Sequence, residues 1–278
     1  MALPYTFTPK QLSIAGHTLS YIDEGQGPVI VMLHGNPTWS YYYRNLINEL
    51  QSKFRLIVPD HIGCGLSDKP QDYSYTLENH IQNLTTLIDH LDLKDISLVV
   101  HDWGGAIGFG YATRFLEKIR SIVVLNTAAF PVKRIPFRIA ACRLPFVGEF
   151  LVRGLNLFAG LAVDMAVKKP LSDDIAAGYL YPYDSWHNRI AVYRFVMDIP
   201  MDETHESWLT LIDIERNLCK LKDRPMMVVW GGKDFCFNDL FYNEWQKRFP
   251  DAEFHYMAKA GHYTRCCGIG MPRPTSMR

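Results

Sequence analysis

The sequence predicts an α/β protein with a mostly parallel, doubly wound sheet into which a helical stretch is inserted. Three observations predict this fold. Short, almost continuous apolar runs recur along the chain, which is typical of strands buried on both faces of a parallel sheet. Helical patterns separate several of these runs, and such alternation indicates an α/β fold. The alternation stops after Asn126 and resumes at Pro225, which indicates an insertion between two strands.

Each predicted element rests on its own local pattern. The stretch 17–25 alternates polar and apolar residues and ends at a glycine, so we expect an edge strand that pairs antiparallel. The last strand is predicted in "AEFHYMA", residues 252–258. Apolar residues three and four apart predict helices over 41–50, 77–91 and 104–116. The apolar runs that predict the parallel strands are 29–35, 54–60, 96–102, 120–126 and 225–231.

The insertion divides the chain into two predicted parts. Residues 1–129 and 222–278 are expected to form an α/β core, and residues 130–221 a helical cap. Ligands of open α/β sheets bind at the carboxyl ends of the strands, and we expect the cap to lie over that edge. Several aromatic residues of the cap are candidates for a pocket lining, although packing is their more frequent role. They are Tyr179, Tyr181, Tyr183, Trp186, Tyr193 and Phe195.

Composition excludes several function classes. The 278 residues include 29 basic and 29 acidic ones, which leaves no electrostatic footprint for nucleic acid. Six scattered cysteines form neither a CxxC pair nor a zinc-binding spacing, so we expect free thiols in a reducing compartment and no metal. The start "MALPYTFTPK" lacks the pattern of a signal peptide, and the most apolar segment, 145–167, carries three charges, which argue against a membrane span. These features predict a cytoplasmic protein.

The segment "VVHDWGGAIGFGYA", residues 99–112, places an acid at a strand-to-helix turn. Asp102 holds the central position of a nucleophile elbow, in which small residues flank the nucleophile. Gly104 and Gly105 would let the helix begin close to the strand. A carboxylate is already ionised near neutral pH, so Asp102 can attack a saturated carbon and form an alkyl ester. The alternative role, a helix N-cap, explains the acid but not the strand–elbow–glycine context.

Hydrolysis of such an ester needs a base and a group that orients the base. His262, in "KAGHY", follows the last predicted strand, and Asp234, in "WGGKDFCF", follows the strand that ends near Gly231. Acid, second acid and final histidine is the chain order of an α/β catalytic triad. We therefore predict His262 as the base and Asp234 as its orienting acid. The side chain of the neighbouring His101 is expected to turn away from the site.

Two residues offer neutral hydrogen-bond donors to a leaving group. The indole of Trp103 has one N–H and no acceptor, and Asn36, in "HGNPTW", has an amide on the loop that faces the elbow. Together they can hold a halide while charge develops on it. The backbone N–H groups of Asn36 and Trp103 are also candidates for an oxyanion hole. The alternative role of Asn36 is that of a turn residue before Pro37.

These motifs resemble those of the haloalkane dehalogenases, which have the α/β-hydrolase fold. "LHGNPTWSYYYRNL", "VPDHIGCGLSDKP", "HDWGGAIGFGYA", "WGGKDFCF" and "AGHY" occur in the order typical of that family. The resemblance implies hydrolysis of a carbon–halogen bond through an ester on Asp102, which gives an alcohol, a halide and a proton without any cofactor. It implies His262 as base, Asp234 as acid, and Asn36 and Trp103 as halide-binding residues.

The combination of Asp–His–Asp with Asn and Trp resembles one branch of that family, and this branch is similar to the β-lactone decarboxylases of bacterial long-chain olefin synthesis. In that alternative the acid attacks a lactone, and carbon dioxide and an alkene leave. Two segments of the predicted cap resemble segments of such proteins: "NTAAFPVKRIPFRIAACRLP" and "YDSWHNRIAVYRFVMDIP". Epoxide hydrolases also use "HDWGG", and they polarise the epoxide with two cap tyrosines. Asn36, which they do not need, counts against this alternative, but the cap tyrosines leave it open. A non-catalytic receptor on this fold would not need five catalytic-type residues.

The resemblance ends after Tyr263. The remaining stretch, "TRCCGIGMPRPTSMR", replaces the acidic stretch and final helix of the family with closely spaced glycines and prolines. This composition predicts an extended or disordered tail. Without that helix an apolar patch of the core would be exposed, and a homo-oligomer is one way to cover it.

Overall fold

The computed structural model describes residues 6–132, 134–167 and 170–263. The predicted tail after Tyr263 therefore lies outside the described residues. The described chain forms one eight-stranded sheet in the order β1-β2-β4-β3-β5-β6-β7-β8. The strands are β1 (Lys10–Ile14), β2 (His17–Glu24), β3 (Val29–Leu33), β4 (Arg55–Pro59), β5 (Ile96–His101), β6 (Ile119–Leu125), β7 (Met226–Gly231) and β8 (Glu253–Met257).

Strands β3 to β8 are parallel to one another, whereas β2 pairs antiparallel with both β1 and β4. The antiparallel pairing of β2 confirms the prediction, but its position at the edge was wrong. The edge strand is β1, which sequence reasoning missed because most of its side chains are exposed and give no apolar run. The five predicted parallel strands form close to their predicted bounds.

The described chain also contains ten α-helices. They are α1 (Arg44–Leu50), α2 (Leu77–His90), α3 (Trp103–Arg114), α4 (Phe137–Ala141), α5 (Val147–Glu149), α6 (Leu157–Met165), α7 (Asp173–Leu180), α8 (Ile190–Met197), α9 (Trp208–Asn217) and α10 (Asp239–Arg248). A π-helical turn, Phe150–Gly154, follows α5. Among the described residues between β6 and β7 there are helices and turns but no strand. In the described ranges no helix is long and apolar enough to cross a membrane.

The sheet is buried on both faces, as its continuous apolar runs predict. Val100 and Leu98 of β5 pack on the face covered by α2 and α3. Val99 packs on the opposite face, with Met32 of β3 and Tyr42. Successive strand side chains point to opposite faces, so only strands that are apolar at nearly every position can fill both cores. The parallel strands thus place their carboxyl ends along one edge of the sheet.

Candidate active site

Asp102 stands directly after β5, in the turn that leads into α3. Its φ of 51° and ψ of −127° are unfavourable for a residue with a side chain. The turn is tight because a Cβ at Gly104 would lie 2.2 Å from the carbonyl oxygen of Leu33, and one at Gly105 would lie 1.8 Å from Oγ1 of Thr127. The two glycines therefore allow the helix to start against the sheet, and Asp102 reaches the cavity at the strand ends.

The two carboxylate oxygens of Asp102 have different surroundings. Oδ1 accepts hydrogen bonds from the backbone N–H of Asn36 at 2.7 Å and from that of Trp103 at 2.6 Å. Oδ2 lies 3.6 Å from Nε2 of His262. The bond from Trp103 also makes Asp102 the N-cap of α3, so the capping alternative and the elbow geometry are both present. Oδ1 is fixed, and Oδ2 is the oxygen that can bond to a ligand.

His262 and Asp234 meet at the same edge although 28 residues separate them in the chain. Nδ1 of His262 shares a hydrogen bond of 2.6 Å with Oδ2 of Asp234. The other oxygen of Asp234 accepts the backbone N–H groups of Cys236 and Phe237 at 2.7 and 3.1 Å. The carboxylate is therefore held from both sides, and it fixes the imidazole with Nε2 towards Asp102.

The side chain of His101 is absent from the cavity lining, as expected, but it packs against His262. Its ring lies 4.4 Å from the ring of His262, measured between centroids. Its Nε2 is 3.1 Å from the backbone carbonyl oxygen of His262. On its other side the ring stacks on Tyr42 at 4.4 Å. His101 thus supports the loop that carries His262, a contact between residues 161 positions apart that no local pattern reveals.

Asn126 stands directly after β6. Its side-chain amide donates to the carbonyl oxygen of Gly231 at 3.2 Å and accepts the N–H of the same residue at 2.7 Å. Both polar atoms are therefore used to join β6 to β7. The second acid beside His262 is Asp234.

Burial and neighbouring charges shift the pKa values of Asp102 and His262 in opposite directions. Burial raises the pKa of Asp102 above its ordinary value, and the charge of His262 and the two backbone N–H groups only partly oppose it. For His262, burial alone would lower the pKa, but the carboxylates of Asp234 and Asp102 together raise it above its ordinary value. Protonated imidazole and ionised carboxylate therefore stabilise each other.

Trp103 and Asn36 both face the cavity, but their donors differ in availability. No residue in the described part of the chain bonds to the indole N–H of Trp103, whose ring lies 5.2 Å from that of Phe195. The amide of Asn36 donates to the backbone oxygen of Val192 in α8 at 3.0 Å. Its Oδ1 is buried and has no partner among the described residues. One N–H of Asn36 is thus used to tie the core to α8, and the other is left for a ligand.

A cavity of about 410 Å³ opens above these residues. Asn36, Asp102, Trp103 and His262 lie in its lining, which is otherwise mostly apolar. None of the six aromatic residues proposed from the sequence for this role lines it; Tyr179 and Tyr183, for example, are buried in packing. The apolar lining comes instead from the segment after β6, from α4 and α6, and from α10 with the loop before it, for example Phe130, Ile139, Phe158, Leu161, Met165 and Phe241. No local pattern distinguishes these residues from ordinary core residues.

Among the described residues no group of His, Cys, Asp or Glu side chains is arranged to hold a metal ion. The described cysteines, Cys64, Cys142, Cys219 and Cys236, are free. The arrangement that remains is an activated carboxylate with an oriented histidine and neutral donors, at the floor of an apolar cavity. It can form a covalent ester with a carbon that bears an anionic leaving group.

Comparison with known proteins places this geometry in a family. The family model for the alpha/beta hydrolase fold matches residues 28–264. A cis-3-alkyl-4-alkyloxetan-2-one decarboxylase from Shewanella oneidensis is 47% identical over 91% of this chain and 81% of its own. One from Xanthomonas campestris is 41% identical over 93% of this chain and 91% of its own.

Haloalkane dehalogenases are more distant in sequence. Haloalkane dehalogenase 2 from Mycobacterium tuberculosis is 28% identical over 93% of this chain and 90% of its own. The crystal structure of a haloalkane dehalogenase from Agrobacterium tumefaciens superposes with a TM-score of 0.82 at 29% identity, covering 93% of this chain and 90% of the other. The backbone is thus shared with dehalogenases, while the sequence lies nearer to the decarboxylases.

Proposed function

Since this chain belongs to the α/β-hydrolase fold family, we propose that it is a β-lactone decarboxylase that converts a cis-3,4-dialkyl-oxetan-2-one into an alkene and carbon dioxide. The observation that carries the choice is the identity of 47% and 41% with two such decarboxylases over almost the whole chain. This reverses the preference drawn from the motifs, which favoured a haloalkane dehalogenase. The motifs could not separate the two reactions because both begin with the attack of Asp102 on carbon.

In the first step, Oδ2 of Asp102 attacks the ring carbon that bears the ring oxygen. The bond from that carbon to the ring oxygen breaks, and its electron pair leaves on a carboxylate that stays attached to the neighbouring carbon. Oδ1 becomes the carbonyl oxygen of the new ester, where the N–H groups of Asn36 and Trp103 hold it. The indole N–H of Trp103 is the neutral donor for the departing carboxylate oxygen.

In the second step, the bond to the carboxylate carbon breaks and its electrons form the double bond. The ester bond to Asp102 breaks at the same time, and its electron pair restores the free carboxylate. Attack with inversion sets the two breaking bonds opposite each other, so the two alkyl groups stay cis. Neither water nor a proton enters, and the apolar lining disfavours the charged intermediate relative to neutral carbon dioxide.

His262 has an electrostatic role in this scheme. Its Nε2 faces Oδ2 of Asp102 at 3.6 Å, and its raised pKa favours the cation beside the carboxylate. Asp234 holds the ring in that orientation. We assign His262 and Asp234 as residues that keep Asp102 ionised and oriented, since the reaction contains no proton transfer for a base to perform.

We further propose that residues 130–221 act as a cap over this site. Two observations support the cap proposal. The side chain of Asn36 donates a hydrogen bond to the backbone of Val192 in α8, and this stretch provides part of the cavity lining. Two alkyl chains of a lactone need such an apolar enclosure, whereas the attacking carboxylate needs the polar floor.

The test is product analysis with a synthetic cis-3,4-dialkyl-oxetan-2-one. We expect a cis-alkene, measured by gas chromatography and mass spectrometry, together with an equal amount of carbon dioxide. Asp102→Asn should abolish both products, while Asp164→Asn, a change at an exposed carboxylate of α6, should leave them unchanged. Lactone hydrolysis to a hydroxy acid, or alkene formation by a folded Asp102→Asn protein from the first turnover, would refute the proposal.

A haloalkane dehalogenase is the second candidate, because two observations favour it. The space of 3.6 Å between Nε2 of His262 and Oδ2 of Asp102 suits a base that activates water against the ester, and the indole N–H of Trp103 suits a halide. Halide release from brominated and iodinated alkanes tests it, with Asp102→Ala as the blank. Release that depends on Asp102 supports dehalogenation, and its absence in a protein that converts the lactone excludes it.

A further inference from the structure

Exposed apolar side chains are concentrated in one part of the molecule. Thirteen large apolar residues of the described chain are exposed, and eight of them lie between 137 and 161. These eight residues form what we name the 137–161 surface: Phe137, Leu144, Phe146, Val147, Phe150, Leu155, Leu157 and Leu161. They lie on α4, α5, the π-helical turn, α6 and the loops between them. The buried residues of the same segments, Cys142, Val152 and Ala159, form the inner side. Apolar exposure on this scale marks an interaction surface.

Among these residues, Phe146 has the exposure and the backbone conformation that are least favourable for a protein surrounded by water. Its side chain is 90% exposed, and its φ of 59° lies in the left-handed region that bulky residues rarely adopt. Folding of the chain gives no reason for either feature. An aromatic side chain that is almost fully exposed on a strained backbone is typical of a residue that inserts into a partner outside the protein.

Part of the 137–161 surface lies at the opening of the cavity. Phe137, Leu157 and Leu161 are exposed and also line the cavity that reaches Asp102. An apolar molecule on this surface can therefore enter the cavity and reach Asp102 along apolar side chains.

Charge identifies the partner. Among the described basic residues of the stretch 130–167, Arg134 and Arg138 are exposed and line the cavity. Arg143 instead donates to the backbone oxygens of Val196 and Ile199, and Arg153 is buried and paired with Glu149. Asp164 is an exposed acid of the same stretch. Two exposed arginines beside exposed aromatic and aliphatic side chains match a bilayer with anionic headgroups, which attracts cations at about 1 kcal/mol for each one near its surface.

We infer that the 137–161 surface docks on an anionic lipid bilayer, with Phe146 and Val147 inserted at the boundary between headgroups and acyl chains. The cavity entrance then faces the bilayer, and an apolar substrate or product passes between membrane and site without crossing water. The route for substrate rests on the proposed function, whereas the docking itself does not.

Vesicle flotation without substrate tests the docking. Vesicles of roughly three parts phosphatidylcholine to one part phosphatidylglycerol should bind the protein, and high salt should weaken binding because it screens the headgroup charge. Phe146→Asn combined with Val147→Ser should weaken binding at least tenfold, since both insertions are lost. Asparagine tolerates a positive φ, so this variant should fold as well as the parent protein. Leu240→Ser, at a residue 75% exposed on α10 outside this surface, is the matched control and should bind normally.

Three results would overturn the inference. They are no binding by the parent protein, equal binding by the double variant, and equal binding to vesicles of phosphatidylcholine alone. A dimer in sedimentation velocity that the double variant dissociates, without any vesicle binding, would assign the surface to a second copy of this chain instead. Since flotation uses no substrate, its failure leaves the lactone assay unaffected, and a failed lactone assay leaves the flotation result standing.

Discussion

The backbone N–H of Asn36 donates to Oδ1 of Asp102 at 2.7 Å, although 66 residues separate the two in the chain. This bond and the one from the N–H of Trp103 make the two oxygens of the carboxylate unequal. One oxygen is fixed in a site for negative charge, and the other faces His262 and the cavity. In the proposed reaction this geometry makes Oδ2 the attacking oxygen, and the four predictions below depend on that assignment or on the local structure behind it.

Isotope labelling separates the two candidate reactions. Decarboxylation returns Asp102 by cleavage of the alkyl carbon–oxygen bond, so no water oxygen enters the side chain. Hydrolysis of the same ester by water at Cγ would leave a solvent oxygen on Asp102. After many turnovers of lactone in ¹⁸O-water, we expect the peptide that contains Asp102 to keep its mass. The same peptide after exposure to a brominated alkane tests the hydrolytic reaction, in which a mass increase is expected. A mass increase with the lactone would contradict the decarboxylation scheme.

The pH dependence of alkene formation should follow the ionisation of Asp102. Because burial raises its pKa, the rate should fall on the acid side with a midpoint above the ordinary aspartate value of about 3.9. The charge of His262 lowers the pKa of Asp102, so His262→Gln should move this midpoint to higher pH. At high pH the variant should keep its rate within about tenfold, since loss of a general base would cost roughly 10²–10⁴.

Initial rates between about pH 4 and pH 9 would measure both midpoints. A parent rate that rises with deprotonation of His262, or a folded His262→Gln protein without alkene formation at any pH, would show that the imidazole does act as a base. Circular dichroism of the variant over the same range is the control for folding.

The indole N–H of Trp103 should act in the transition state. Trp103→Phe removes the donor and keeps an aromatic ring beside Phe195. We expect kcat to fall roughly 100-fold, as for loss of one donor to a developing anion, with a smaller change in KM. Trp186→Phe is the matched control, because Trp186 is half-exposed and does not line the cavity. An unchanged kcat in Trp103→Phe would assign the indole to packing alone.

The close approach of α3 to the sheet makes a stability prediction at Gly104. A Cβ there would lie 2.2 Å from the carbonyl oxygen of Leu33, so the backbone must shift. We expect Gly104→Ala to lower the free energy of unfolding by about 1–3 kcal/mol, measured by urea denaturation. At Gly160 of α6 a Cβ would meet nothing within 4 Å, and Gly160→Ala should instead stabilise by about 0.5–1 kcal/mol. Equal effects at the two sites would contradict the steric argument.

The sequence by itself determined the strands that hold the site and the candidates for its polar residues. Runs such as 96–101 are apolar at nearly every position, and few environments other than a doubly covered parallel sheet accept them. Asp102 and Asp234 follow such runs, and His262 follows β8, whose pattern is more polar. Parallel strands end at one edge, so the proximity of the three residues could be predicted. Turn chemistry is local as well, which is why Gly104 and Gly105 predicted a close strand-to-helix approach.

Only the tertiary structure decided which residues surround that polar floor. His101 lies against His262, and the proposed cap tyrosines pack away from the cavity while Phe158 and Leu161 line it. The polar strand β1 at the edge and the exposed Phe146 were equally absent from the sequence pattern. The physical reason is that hydrophobic burial is non-directional. A sequence shows that an apolar side chain will leave water, but only the packed fold shows whether it enters the core, the cavity or the surface at the cavity entrance.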